Sequence, residues 1–102
     1  MSGYSLTSRA KADVFEIWSY IARDSEGAAD RVEQAIYDAC AFSAHAPMLG
    51  HLRPQLTSRS LRFWTLKRFP NYSVVYRPET VPLEVVAVLQ GKRDIRRLLR
   101  KR

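Results

Sequence analysis

"LRFWTLKRFPNYSVVYRPETVPLEVVAVLQ", residues 61–90, decides how this chain folds, because here the apolar period becomes two. "LRFWTL", "YSVVYR" and "LEVVAVLQ" are rich in β-branched and aromatic residues, and "KRFPN" and "PETVP" between them are turn-like links that each contain proline. Three successive strands joined so closely are most simply an antiparallel meander, whose apolar face needs a cover. Trp64, Tyr72 and Tyr76 alternate with other apolar residues, a pattern that suits core packing better than a platform for stacking bases.

The cover lies on the N-terminal side. After the short apolar stretch "YSL", the segment "TSRAKADVFEIWSYIARD" places Val14, Ile17, Trp18 and Ile21 at three- and four-residue spacing, with Ala10 on the same face. Thr7 or Ser8 supplies the cap of this helix of about four turns. "RDSEGA" interrupts the pattern, with Gly27 marking the break, and "AADRVEQAIYDACAFSAHA" predicts a second helix. Its stripe is Ala28, Val32, Ala35, Ile36, Ala39 and Phe42 or Ser43. These small side chains let the two helices pack closely as an antiparallel hairpin. "APMLGHLRP" is too densely punctuated by Pro47, Gly50 and Pro54 to be a regular element.

Beyond Gly91 the spacing is helical again: Ile95, Leu98 and Leu99 make a narrow apolar stripe amid Arg93, Arg96, Arg97 and Arg100. A helix this short is marginal alone and must dock on something, either the domain's own sheet or a partner. From Lys92 to Arg102 there are seven basic residues and one acid, so nearly all of the net charge of +7 sits in the tail. Charge alone favours polyanions, but a purely electrostatic arm needs no large apolar stripe. A structured tail, held against a protein or the sheet, is therefore expected over a disordered nucleic-acid arm.

With 102 residues, the chain has room for one domain, 1–102, with a basic segment over 91–102. Cys40, the single cysteine, has helix-face neighbours and reads as a buried structural thiol. No apolar run reaches the ~18 residues that span a bilayer, and the start lacks a signal-peptide core, so a cytoplasmic protein without membrane contact is expected.

Several chemistries lack their groups. There is no phosphate-cradling Gly-rich loop followed by Lys-Ser/Thr, no His-Glu-x-x-His pair, no Gly-x-Ser-x-Gly elbow and no zinc spacing, so neither metal nor cofactor is expected. His45 suits the C-terminal carbonyls of the second helix, and His51 reads as an exposed loop residue. Asp13 with Glu16, and Asp30 with Glu33, read as solvated helix faces rather than catalytic pairs. What remains is basic: Arg53, Arg59, Arg62, Lys67 and Arg68 surround the first meander strand, and Arg62, Arg77 and Arg93 could share one rim with the tail. Such a rim suits phosphate or carboxylate, because each guanidinium is a rigid fork of donors.

The blocks "YSLTSRAKADVFEIWSYIARD", "AADRVEQAIYDA", "HAPMLGHLRPQL", "LRFWTLKRFPNYSVVYRP" and "LEVVAVLQGKRDIRRLL" resemble, in order and spacing, the ParE branch of the RelE/ParE superfamily of toxin–antitoxin toxins. The resemblance implies a two-layer α+β fold: an N-terminal strand and α-helical hairpin on a three-strand antiparallel meander, with a short C-terminal helix. It implies growth arrest, plasmid stabilisation, a cognate antitoxin, and a higher-order assembly that binds operator DNA through that antitoxin. In the ParE branch the target is DNA gyrase, bound directly and without catalysis. Arg93, Ile95, Arg96, Arg97, Leu98, Leu99 and Arg100 are then the candidate target-binding residues, while the antitoxin-binding residues are left open. The alternative, similar to the RelE branch, is a metal-free endoribonuclease acting on ribosome-bound messenger RNA. There Arg62 and Arg77 would stabilise the phosphate's added charge, but the one candidate general acid or base, Tyr76, alternates with Arg77 and so falls on the other face. Where many relatives carry His in a "VLHGxRD" block, this chain has Gln90, which cannot titrate near neutral pH. Gly91 is expected to release the backbone from the last strand, and Asp94 to cap the terminal helix or pair with an arginine.

Overall fold

The computed structural model describes residues 3–91 and 95–102. Strand β1 (Tyr4–Leu6) leads into helix α1 (Ser8–Ala22), and helix α2 (Glu26–His45) runs back across it. A single turn of 3-10 helix (Pro47–Leu49) opens the long connection to β2 (Arg62–Thr65), β3 (Tyr72–Arg77) and β4 (Leu83–Gln90), and α3 (Ile95–Leu99) follows. The second and third meander strands match the period-two segments residue for residue. The first loses Leu61 and Leu66 from its ends, and both are buried beside it.

Side-chain oxygens start both long helices. Thr7 Oγ1 accepts from the Ala10 N–H and Ser25 Oγ from the Ala28 N–H, each at 3.1 Å, satisfying donors that the first helical turn leaves open. The expected break at Gly27 is therefore displaced. With Ser25 as cap, Glu26 and Gly27 fall inside the first turn of α2, and Arg23 to Ser25 make the connection. The expected stripe of α2 holds at Val32, Ile36, Ala39 and Ser43, while Ala28 and Ala35 are only partly buried at its margin. Ala29, Val32, Ile36, Ala39, Cys40 and Ser43 are buried, whereas Phe42 stands 40% exposed. Trp18 Nε1 donates to Asp30 Oδ1 at 2.9 Å and ties the two helices together.

The sheet has four strands in the order β1-β4-β3-β2. β1 adds parallel to β4, with Tyr4 opposite Leu83 and Leu6 opposite Val85, while the other pairings are antiparallel. One sheet face packs on the helical hairpin through Val74, Tyr76, Val85 and Val88 against Val14, Ile17, Val32 and Ile36. The other face is not bare. Phe63, Val75, Val86, Ala87 and Leu89 form a second core with Leu61 and Leu99. A bulge makes this possible: Val75 faces Ala87 and Tyr76 faces Val85, so Val86 is the extra residue, and it joins Ala87 on the α3 side. Gly91 ends β4 at φ +63°, a conformation in which a side chain is strained, and its N–H donates to the Asn71 carbonyl at 2.7 Å.

Cys40 is fully buried, as its sequence neighbours indicated. Burial pushes its thiol up from 9.0 to about 12. The folded state thus favours the neutral thiol, and this contribution to stability is intact below pH 9 and lost as the pH climbs toward 12. At about pH 8.5, iodoacetamide is expected to label the denatured chain within minutes and the native chain at least ~100-fold more slowly. Equal rates would place the thiol outside the core.

Candidate functional site

The helical stripe of the tail is used by the protein itself. Leu99 is 1% exposed in the second core, Ile95 and Leu98 are half-buried against it, and Arg96, Arg97 and Arg100 face outward. Five residues of helix would not persist alone. Packing is reinforced at the helix end, where Arg59 Nη1 donates to the Leu99 carbonyl at 2.8 Å and the Arg102 N–H reaches the same oxygen at 3.1 Å.

Docking α3 on the sheet creates a basic cleft of about 770 Å³. Its floor includes Phe63, Thr65, Ser73 and Leu89, one wall is Arg96, Arg97 and Arg100, and the other is Arg53 with Leu56. Arg53 lies over the Phe63 ring at 5.6 Å, a cation–π contact that aims it across the sheet. Arg96 Nη2 donates to the Gln55 carbonyl at 2.5 Å, joining the two walls. On the floor the Thr65 and Ser73 hydroxyls sit 3.2 Å apart. Four guanidiniums line this cleft and no carboxylate, imidazole, phenol or amine accompanies them among the described residues. Such a surface can grip an anion through forked donors.

Arg62 and Arg77 do not converge. Arg62 pairs with Tyr76 in the sheet and shares its face toward the helical hairpin, whereas Arg77 lies one position further on, opposite Glu84. Both are engaged. Arg62 Nη1 donates to the carbonyls of Gly50 (2.8 Å) and Met48 (3.2 Å), and Arg77 Nε donates to Glu84 Oε1 at 2.7 Å. The shared rim expected of Arg62, Arg77 and Arg93 is thus absent for the first two, because adjacent strand residues point to opposite faces. Arg93 and Asp94 lie outside the described residues.

Tyr76 is fully buried and structural: its hydroxyl accepts from the Gly50 N–H at 3.1 Å and donates to the Pro47 carbonyl at 2.7 Å. Burial raises its pKa above the ordinary phenol value. Tyr72 is also in the core, and Trp64 is half-buried with its ring 4.9 Å from Phe42, so core packing accounts for these rings. His45 closes α2 and His51 is exposed, its backbone bridging Phe63.

Asp13 is the residue whose role the sequence concealed. It is not on a solvated face but binds Arg102 in a forked ion pair, Oδ2 to Nη1 at 2.6 Å and Oδ1 to Nη2 at 3.0 Å. Its Oδ2 also accepts from the Val88 N–H at 2.9 Å. Arg102 in turn donates to the Val86 carbonyl at 3.0 Å. The pair therefore covers the edge of β4 where short β1 ends, and a separation of 89 residues leaves no local signal for it. Among the described residues no cluster of three or more His, Cys, Asp or Glu could hold a metal ion, and no helix is long and apolar enough to cross a membrane.

Comparison with known proteins agrees with this architecture. No curated protein matches the chain. Its fold is similar to that of a chain in the solved "Chromosomal ParDE TA system from P. aeruginosa", with a TM-score of 0.71 and 20% identity, over 87% of this chain and 95% of that one. Residues 4–95 match the family described as "ParE toxin of type II toxin-antitoxin system, parDE". That match runs from the first residue of β1 to the first of α3 and so takes in the strand, the hairpin and the whole meander: the chain belongs to the ParE toxin family.

Proposed function

We propose that this protein is a growth-arresting toxin that inhibits DNA gyrase by direct binding and is neutralised by a cognate antitoxin. Family membership supports the toxin–antitoxin part. The observation that carries the target-binding part is the cleft: Arg53, Arg96, Arg97 and Arg100 are displayed together, with no carboxylate, imidazole, phenol or amine lining it among the described residues. Of the two surfaces that the spacing of Ile95, Leu98 and Leu99 left open, these side chains pack on the domain's own sheet, whereas the resemblance puts them among the target-binding residues. They anchor the arginines on the sheet, and the arginines meet the target. An endoribonuclease using Arg62 and Arg77 finds less support, since these guanidiniums face opposite ways and hold local structure. Plasmid stabilisation, cytoplasmic action and operator binding through the antitoxin follow from the same reading.

The antitoxin-free protein is expected to block supercoiling or to trap gyrase on cleaved DNA, and the triple variant Arg96→Ala/Arg97→Ala/Arg100→Ala to be weaker by about tenfold or more. Melting temperature should stay near that of the unaltered chain, because these three side chains are exposed. Point substitution is preferable to truncation. Removing the segment from Ile95 onward would uncover Leu61, Phe63 and Val75 and unsettle the domain itself. Undiminished gyrase activity at stoichiometric excess of toxin, with programmed ribosomes yielding cut messenger RNA, would replace this reading by the ribonuclease.

A further inference from the structure

Charge is sorted between the two layers of this protein. Residues 1–46, which include β1 and the helical hairpin, hold four basic and seven acidic side chains, whereas residues 47–102 hold thirteen basic and three acidic. The two parts thus differ in sign, −3 against +10, and the basic cleft opens on the sheet face that the hairpin leaves free. A polyanion therefore meets this protein in one orientation, with the exposed Asp24, Glu26 and Asp30 of the hairpin on the opposite layer.

The groups in the cleft say what kind of polyanion fits. Arg96 and Arg100 are exposed one helical turn apart, about 6 Å along α3, so that one wall can meet neighbouring phosphates of a single strand. Arg53 faces them from the other wall, and the Thr65 and Ser73 hydroxyls and the Asn71 amide lie between. Guanidinium forks with hydroxyl and amide donors are the partners that phosphate oxygens take along a nucleic-acid backbone. A platform for bases is missing. Phe63 is the one ring that lines the cleft among the described residues, and it is 2% exposed with Arg53 lying over it. Single strands are held by stacking their bases on exposed rings, so this cleft suits a backbone whose bases are turned inward in a duplex. Nor does it offer an acidic protein the apolar anchor that protein interfaces use, since Leu56, Leu89 and Ile95 are committed to the second core.

We infer that the cleft grips the phosphate backbone of duplex DNA, with Arg53, Arg96, Arg97 and Arg100 each neutralising a phosphate and no base being read. This deepens the gyrase reading above and rests on it for its setting: the toxin meets the DNA that the enzyme holds as well as the enzyme itself.

The first test uses the full-length chain and a short DNA duplex of mixed sequence, without gyrase, and follows fluorescence anisotropy between about 50 and 200 mM salt. Four phosphate contacts predict a slope of log affinity on log salt between about −3 and −4, with little dependence on sequence. In Arg96→Ala/Arg97→Ala/Arg100→Ala the slope should fall to about −1 and the affinity at low salt by on the order of 100-fold. The control removes equal charge elsewhere. Arg31, Lys67 and Arg68 border a groove between α2 and β2, on the other side of the sheet, and Arg31→Ala/Lys67→Ala/Arg68→Ala should keep the slope and stay within about threefold of the unaltered affinity. Equal losses in the two triple variants would reduce the effect to net charge and overturn the site, as would tighter binding to single-stranded RNA than to the duplex. The second test compares toxin binding to gyrase with and without bound DNA, where the unaltered chain should gain at least about tenfold from the DNA and the cleft variant should gain nothing. Gyrase inhibition without any affinity for duplex DNA would overturn this inference and leave the gyrase reading standing. Duplex binding through the cleft without gyrase inhibition would overturn the gyrase reading and uphold the DNA grip.

Discussion

Asp13→Ala is expected to lower folding stability by about 3 to 5 kcal/mol, because it strands a buried guanidinium. The Arg102 side chain is only 9% exposed, and both of its terminal nitrogens are held by the Asp13 carboxylate. Alanine would leave that cation facing the Val86 carbonyl alone and would orphan the Val88 N–H at the edge of β4. Removing both charges is a different matter. In Asp13→Ala/Arg102→Met the desolvation cost of the pair disappears with its attraction, so the double variant should regain more than half of the loss. Urea denaturation with a common slope measures both. A loss below about 1 kcal/mol for Asp13→Ala would mean that the contact behaves as a surface pair.

Gly50→Ala is expected to cost about 4 kcal/mol, combining overpacking with the loss of a buried hydrogen bond. A Cβ at this position would stand 2.3 Å from the Tyr76 hydroxyl oxygen and 3.0 Å from the Arg62 Cβ. Tyr76 cannot swing away, since it is fully buried and its hydroxyl is committed to Pro47. Gly50 has an ordinary φ of -64°, so the requirement for glycine is space and not backbone conformation. The check is a double-mutant cycle. Tyr76→Phe alone should cost about 1 to 3 kcal/mol, and in its presence Gly50→Ala should cost far less, the new methyl entering space that the hydroxyl vacated. Full additivity of the two losses would show that the close approach is not what excludes a side chain.

Both residues show where sequence reading stops. Gly50 was legible only as punctuation in a proline-bearing connection, and the spacing of Asp13 only as an exposed position beside Glu16. Their partners, Tyr76 and Arg102, lie 26 and 89 residues away. Period and capping chemistry, by contrast, act within a few residues, and they located the helical hairpin and two of the three meander strands closely. Gly27 was misassigned because a glycine was weighed above Ser25, whose hydroxyl caps α2.

The candidate site divides in the same way. Arg96, Arg97, Arg100 and the apolar stripe beside them were readable as an amphipathic tail, since charge and spacing are properties of consecutive residues. Whether that stripe turned toward a partner or toward home was not. The answer depended on the bulge at Val86, which fills the second sheet face with enough apolar surface to bury Leu99, and on Asp13 waiting at the edge of β4 to receive Arg102. Hydrophobic pattern and local hydrogen bonding therefore specify the elements of this protein. The grouping of its arginines into a cleft, the separation of Arg62 from Arg77 and the groove between α2 and β2 come only from contacts between distant segments, whose energies no short window of residues contains.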